Sequence, residues 1–217
     1  MRRRTAFSTL ALLAVLASCS GATRELYDPT LLIVSENGRE LGVSTDYGVV
    51  FLGRYAQGGE VDLNAWFGDG PSLETAVVEP LGHGLYTAEP EIRIPSVPLT
   101  FAEPRVGETV TVLGRTGGTR WSRLALVTRD SRVSGILLKP TVGVTGAPEQ
   151  VGAGVYVGKG YQDFKLLGLI SGRVRLVSDH GYVDYVTVLG PDELWRLVAR
   201  PKMSQHKPRW VYREDIL

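Results

Sequence analysis

The chain has 217 residues with 24 Lys and Arg against 23 Asp and Glu, a formal charge of +1, so it lacks the cationic excess with which nucleic-acid-binding chains neutralise phosphates. Its single cysteine, Cys19, excludes a disulfide within the chain. With 43% hydrophobic residues, 26 glycines and 12 prolines, the composition is that of many short strands joined by tight turns, enough for one large β domain or two small coupled ones.

The first element in chain order is a leader. Arg2, Arg3 and Arg4 precede an apolar run from Leu10 to Leu16, which ends in the small residues Ala17 and Ser18 before Cys19; this is the order of a secretory signal. The run is too short to cross a hydrocarbon layer of ~30 Å. Leu16-Ala17-Ser18-Cys19 resembles the lipobox of bacterial lipoproteins. The resemblance implies a diacylglycerol on the Cys19 sulfur, cleavage of residues 1–18, and a spacer over residues 19–30. Ser20, where family members retained in the inner membrane carry aspartate, implies the outer membrane. Under the plainer alternative, this is an ordinary signal peptide with a fortuitous cysteine. Lipidation explains an unpaired cysteine in an exported chain, and acyl chains at ~0.8 kcal/mol per buried methylene would hold the protein on a membrane. Removing the leader takes away three arginines and no acids, which turns the charge from +1 to about −2.

Strands are expected at Leu31–Ser35, Gly48–Arg54 and Glu60–Phe67, and again at Thr109–Arg115, Trp121–Arg129, Val133–Leu138, Lys165–Ser171 and Tyr182–Leu189. In "TVTVL" the alternation places Val110 and Val112 on one face and the threonines on the other. Pro90, Pro95, Pro98 and Pro104 each remove a ladder donor, so residues 89–104 read as a crossing between two halves. One helix is expected after Gly190: Pro191, Asp192 and Glu193 suit its first turn, Leu194, Leu197 and Val198 share a face, and Pro201 stops it. Residues 201–217 form a polar tail in which Trp210-Val211-Tyr212 is the one apolar cluster.

From Pro104 onward the order "PRVGETVTVLGR", "WSRLALVTRDSRVSGILLKP", "EQVGAGVYV", "LLGLISG" and "GYVDYVTVLGPDELWRLV" resembles the second barrel of trypsin-like serine proteases. "RELGVSTDYGVVFLGRYA" is similar to that family's first hairpin and the segment bearing its histidine. Together the resemblance covers roughly residues 30–200. It implies an all-β chain of two packed six-stranded antiparallel barrels, about 31–88 and about 105–200, with a short C-terminal helix and a cleft between the barrels.

Such a protease needs a hydroxyl to attack, an imidazole to take its proton and a carboxylate to orient the imidazole. Aligning the family's Gly-Asp-Ser-Gly-Gly-Pro-Val loop on Val155 places Val151 at the serine, Gln150 at the aspartate and Gly154 at the proline; sliding it by two residues substitutes Ala153 for the serine. The histidine falls on Arg54 and the remaining aspartate on Gly84, each within several residues. The resemblance therefore implies a domain that has lost its triad. Gly152, Ala153 and Gly154 could still offer backbone N–H groups to a carboxylate or carbonyl, or form only a tight turn before a core strand.

An alternative builds an atypical hydrolase on His83 or His180, with Ser171 or Ser134 as nucleophile. Neither serine has the Gly-x-Ser-Gly setting that holds a hydroxyl on a strained turn. Asp179, His180 and Asp184 read more simply as a hairpin turn than as a metal site, and no spacing matches a metal-ligand pattern. Nothing calls for a cofactor. The expected role is binding or scaffolding in the cell envelope, with the membrane held through the Cys19 lipid and a protein, peptide or glycan as partner. An unrelated envelope β-sandwich is the remaining alternative.

Overall fold

Short Val- and Leu-rich segments that alternate with glycine turns close here into barrels rather than an open sheet. A computed structural model describes residues 28–67, 70–91 and 94–200; Cys19, the leader and the tail with Trp210-Val211-Tyr212 lie outside them. Six strands build the first barrel: β1 Thr30–Ser35, β2 Gly38–Thr45, β3 Gly48–Phe51, β4 Glu60–Phe67, β5 Gly70–Gly82 and β6 Leu85–Ala88. Its order around the barrel is β1-β2-β3-β6-β5-β4. The second contains β7 Thr109–Thr116, β8 Thr119–Thr128, β9 Ile136–Lys139, β10 Gly154–Val157, β11 Lys165–Ser178 and β12 Gly181–Leu189, in the order β10-β11-β12-β9-β8-β7. All ladders are antiparallel. This is the expected all-β pair of six-stranded barrels, with one helix, α1, at Pro191–Ala199.

Each barrel has its own apolar filling. Leu31, Ile33, Val49, Phe51 and Leu63 pack inside the first, and Val110, Val112, Val127, Val155 and Val186 inside the second. Val110 and Val112 point inward from β7 while Thr109 is exposed and Thr111 half-buried, as the alternation requires. A third cluster fills the seam. Val43, Val50 and Leu85 from the first barrel meet Leu113, Tyr156, Leu166 and Leu169 from the second, and Leu194 and Leu197 of α1 join them. At roughly 1.5–3 kcal/mol per fully buried large apolar side chain, this seam couples the two barrels.

Residues 97–100 of the proline-rich crossing bond to both barrels. Val97 N–H donates to Ser44 O on the first barrel at 3.1 Å, while Thr100 N–H donates to Leu166 O and Leu166 N–H to Pro98 O on the second. A buried ion pair between Arg115 and Asp28 adds a polar tie, with the Arg115 guanidinium 4.0 Å from the centre of the Trp66 ring. At the start of α1, Glu193 Oε2 accepts the Gly190 N–H at 2.9 Å. Arg200, just past its end, bonds Glu79 at 2.9 Å and Tyr47 O at 3.0 Å and also pairs with Glu89. The helix is thus fastened to the first barrel although it follows the second.

Three expected strand ends differ by three residues or more. The strand expected from Val133 begins at Ile136, because the Val133 N–H turns back to Asp130 O. The third strand ends at Phe51 rather than Arg54, because the backbone N–H groups of Arg54, Tyr55 and Ala56 turn to a side chain, Glu40, instead of a ladder. The strand expected over Lys165–Ser171 continues to Ser178 as one side of a long hairpin with β12.

Candidate functional site in the cleft between the barrels

Three loops approach one another where the barrels meet. The first leaves β3 through Leu52 and Gly53. Gly53 has φ +61°, and a Cβ there would lie 2.1 Å from the Tyr86 ring, so only glycine fits this close turn. The turn brings Arg54 outward, and Glu40 braces it from below. Only 5% exposed, the Glu40 carboxylate accepts the N–H groups of Arg54 at 3.1 Å, Tyr55 at 3.1 Å and Ala56 at 3.2 Å. The Arg54 guanidinium then reaches across to the other barrel and donates to Pro148 O at 2.7 Å.

The second loop is the turn Gly82-His83-Gly84, whose φ values of +86°, +55° and +77° are all left-handed; His83 is the one non-glycine residue with positive φ among the described residues. The third comprises residues 143–154. Here Gln150 is the brace: its Oε1 accepts Thr145 N–H at 2.8 Å and Gly146 N–H at 3.0 Å, while its Nε2 donates to Gly143 O at 2.9 Å. Val151 follows at the end of a short 3-10 turn, Pro148–Gln150, and packs into the seam cluster.

Arg54, Gly84 and Val151 line one cavity of about 470 Å³. Leu52, Pro148 and Leu189 supply apolar wall, and Ser171, Gly172 and Arg173 of β11 close the far side. Gly146 packs directly on β11, where a Cβ would meet Gly172 O at 2.3 Å. Among the described residues, no histidine, cysteine or carboxylate lines the cavity. Its one hydroxyl, on Ser171, is hydrogen-bonded to Thr187 Oγ1 at 2.8 Å.

The Gly152-Ala153-Gly154 turn directs its backbone into the fold. Gly152 N–H donates to Ile170 O at 2.8 Å and Ala153 N–H to Gln150 O at 3.0 Å, and Gly154 lies in β10 between Leu113 and Leu169. Gly152 has φ +89°, and a Cβ there would stand 2.5 Å from Leu41 O; the turn is pressed against β2. The donors expected of Gly152 and Ala153 are therefore already committed, and a ligand finds side chains and the β11 edge instead. On the side of β11 that faces β10, the last backbone bonds are those of Ile170 with Gly152 and Ala153. From Ser171 on, no strand among the described residues pairs with that edge.

The other sequence-derived candidates sit apart. His180 and Asp179 form the turn between β11 and β12. Asp184 is held by Arg175 at 2.7 Å, and this hydrogen bond lowers its carboxyl below the ordinary carboxylate range. Ser134 lines a separate cavity beside the β8–β9 loop. There the Arg132 side chain and N–H hydrogen-bond Asp130 and hold its carboxyl far below the usual value. Among the described residues the side chains of His83 and His180 have no hydrogen-bond or ion-pair partner. Among the described residues no three His, Cys, Asp or Glu side chains gather as a metal site requires, and no helix is long and apolar enough to cross a membrane. Glu40 and Arg173, missed in the sequence, define the cleft as much as the expected positions do, and Ser171, a nucleophile candidate in the sequence, lines it.

No family model matches the sequence, and a search of curated proteins finds no match. Solved structures do match. The inactive form of a Mycobacterium tuberculosis protease is 17% identical with a TM-score of 0.54, over 91% of this chain and 100% of that one. The human pathogenic astrovirus serine protease is 12% identical with a TM-score of 0.53, over 78% and 96%. The MamO protease domain of Magnetospirillum magneticum is 13% identical with a TM-score of 0.51, over 79% and 96%. The chain has the fold of trypsin-like proteases.

Proposed function

We propose, with the trypsin-like protease fold as premise, that the chain is an exported, lipid-anchored protein whose inter-barrel cleft holds an extended peptide without cutting it. One observation carries this reading: Arg54, Gly84 and Val151, which the family resemblance aligns with the histidine, aspartate and serine, line a single cavity. Acyl transfer in such a site needs a nucleophile, a proton acceptor and an orienting carboxylate. Val151 ends in methyl groups, Gly84 has no side chain, and a guanidinium donates hydrogen bonds but has no lone pair to accept a proton. Ser171 lines the cavity with no histidine beside it.

What the cleft retains is the means to hold a chain. The β11 edge beyond Ile170 leaves backbone groups without a strand partner, and an extended peptide can add to such an edge. The lipid on Cys19 would keep this cleft within reach of envelope proteins, at the outer membrane, through the spacer of residues 19–30.

Treating the purified protein with a fluorophosphonate probe tests the absence of an activated serine. No labelling is expected, and labelling at a single serine would overturn the reading. The anchor is tested separately: radiolabelled palmitate should enter the wild-type chain and not Cys19→Ala, and incorporation that survives the substitution defeats the lipoprotein assignment.

A further inference from the structure

The charges around the cleft are one-sided. Arg54 and Arg173 both line it, both are exposed, and no carboxylate lines it with them. The nearby acids are engaged or face elsewhere. Glu40 is buried under three N–H donors, Asp184 is bridged to Arg175, and exposed Glu149 is outside the lining. Arg173 makes no ion pair among the described residues, although its charge, after that of Arg175, also favours the Asp184 carboxylate, and Arg54 uses one N–H on Pro148 O, which leaves most of its five donors. A low-dielectric wall carrying one sign of charge concentrates the opposite sign in front of it. Leu52, Pro148, Val151 and Leu189 give the same cavity an apolar wall, so the two guanidiniums are its charged recognition elements.

We infer that the cleft selects an acidic extended peptide, whose carboxylates are held by Arg54 on the first barrel and Arg173 on the second while its backbone follows the β11 edge. This rests on the reading of the cleft as a peptide site and names the class of peptide. The planar guanidinium fork matches a carboxylate in two parallel hydrogen bonds, and the two arginines stand on different barrels. An acidic chain across the cleft therefore also ties the barrels together.

The test is fluorescence anisotropy of the full chain with two labelled peptides, acetyl-Thr-Glu-Val-Glu-Thr-Glu-amide and its counterpart with glutamine at each glutamate. The acidic peptide should bind about tenfold tighter at low salt and lose that advantage as salt screens the charges. Arg173→Gln and Arg54→Gln should each weaken it about fivefold, and Arg173→Glu more, with the glutamine peptide unmoved. Arg129→Gln, which removes the same charge from an exposed pair with Glu103, should leave both peptides unchanged. Circular dichroism shows whether each variant is folded, and Arg173, exposed on a ribbon, keeps the test available if Arg54→Gln misfolds. Equal binding of the two peptides, or indifference to Arg173→Glu, overturns the acidic selectivity while leaving the cleft as a peptide site. If neither peptide binds, both readings fall.

Discussion

The two barrels each contribute a loop to the cleft, and they hold those loops by opposite means. In the first barrel a buried anion, Glu40, gathers three backbone N–H groups and leaves Arg54 projecting. In the second a neutral amide, Gln150, accepts two N–H groups and donates to a carbonyl, and leaves Val151 packed inward. Buried donors must be satisfied in either case. The anionic brace has no way to donate, so it suits a loop that shows only N–H groups, whereas the amide suits a loop that shows both kinds. The difference also decides what the cleft sees: a charged side chain from one wall and an apolar one from the other.

The sharpest way to break this comparison is to remove the anion. Glu40→Ala leaves three N–H groups without their acceptor, that of Ala56 buried and those of Arg54 and Tyr55 part-buried, at roughly 1–3 kcal/mol for a fully buried unsatisfied group and less where water can enter. Urea denaturation should therefore show a loss of about 3 kcal/mol, with Glu40→Gln in between because it keeps one acceptor oxygen. A loss below about 1 kcal/mol would mean that the loop does not depend on Glu40. Next in size is Gly152→Ala, where a Cβ would stand 2.5 Å from Leu41 O at φ +89°; about 2–3 kcal/mol is expected from backbone strain and the forced shift of β2. An equally stable variant would show that the turn is not pressed on β2.

Gln150→Ala should cost less, about 1–2 kcal/mol, since its three partners lie in a part-exposed loop where water replaces some of the bonds. The discriminating readout is hydrogen exchange, which should speed up at Thr145 and Gly146 and not at Arg54 to Ala56; Glu40→Gln should do the reverse.

These residues also mark what the sequence could and could not disclose. The strands of the second barrel are readable because "TVTVL" alternates and "KLLGLIS" is a dense apolar run, and the terminal helix is readable from Pro191 and its acidic first turn; the pair of barrels is what the resemblance to trypsin-like proteases implies. The first barrel is harder. β5, "GPSLETAVVEPLG", is not among the expected strands; its Pro71 lies near the hairpin end opposite Trp66 and its Pro80 next to a register shift, where a missing donor is tolerated. Arg54, Gly84 and Val151 were located by motif order, and they do line one cavity. Glu40 was not legible, because a glutamate in "RELGVST" looks like a solvated strand residue and its partners come 14 to 16 residues later. The direction of the Gly152 and Ala153 N–H groups was not legible either, since glycines announce a turn without saying which way its donors face.

The smallest expected effect concerns pH. Asp130 has a folded-state carboxyl held below its ordinary value of 3.8, mainly by Arg132. A lowered folded value means that the associated stability is present above 3.8 and fades as pH falls through the lowered value. Because water reaches the Arg132 side of the pair and screens it, Asp130→Asn should change stability little at neutral pH and flatten the acid limb below about pH 4. An acid limb identical to wild type would show that the ion pair contributes nothing to folding.

The central claim is that this cleft keeps its grip on a peptide and has no means of cutting it. Native mass spectrometry of the full chain after prolonged incubation with the acidic hexapeptide tests it most directly. A one-to-one complex that carries the peptide at its full mass is the predicted result; peptide fragments, or an acyl adduct on a serine of the chain, would contradict it.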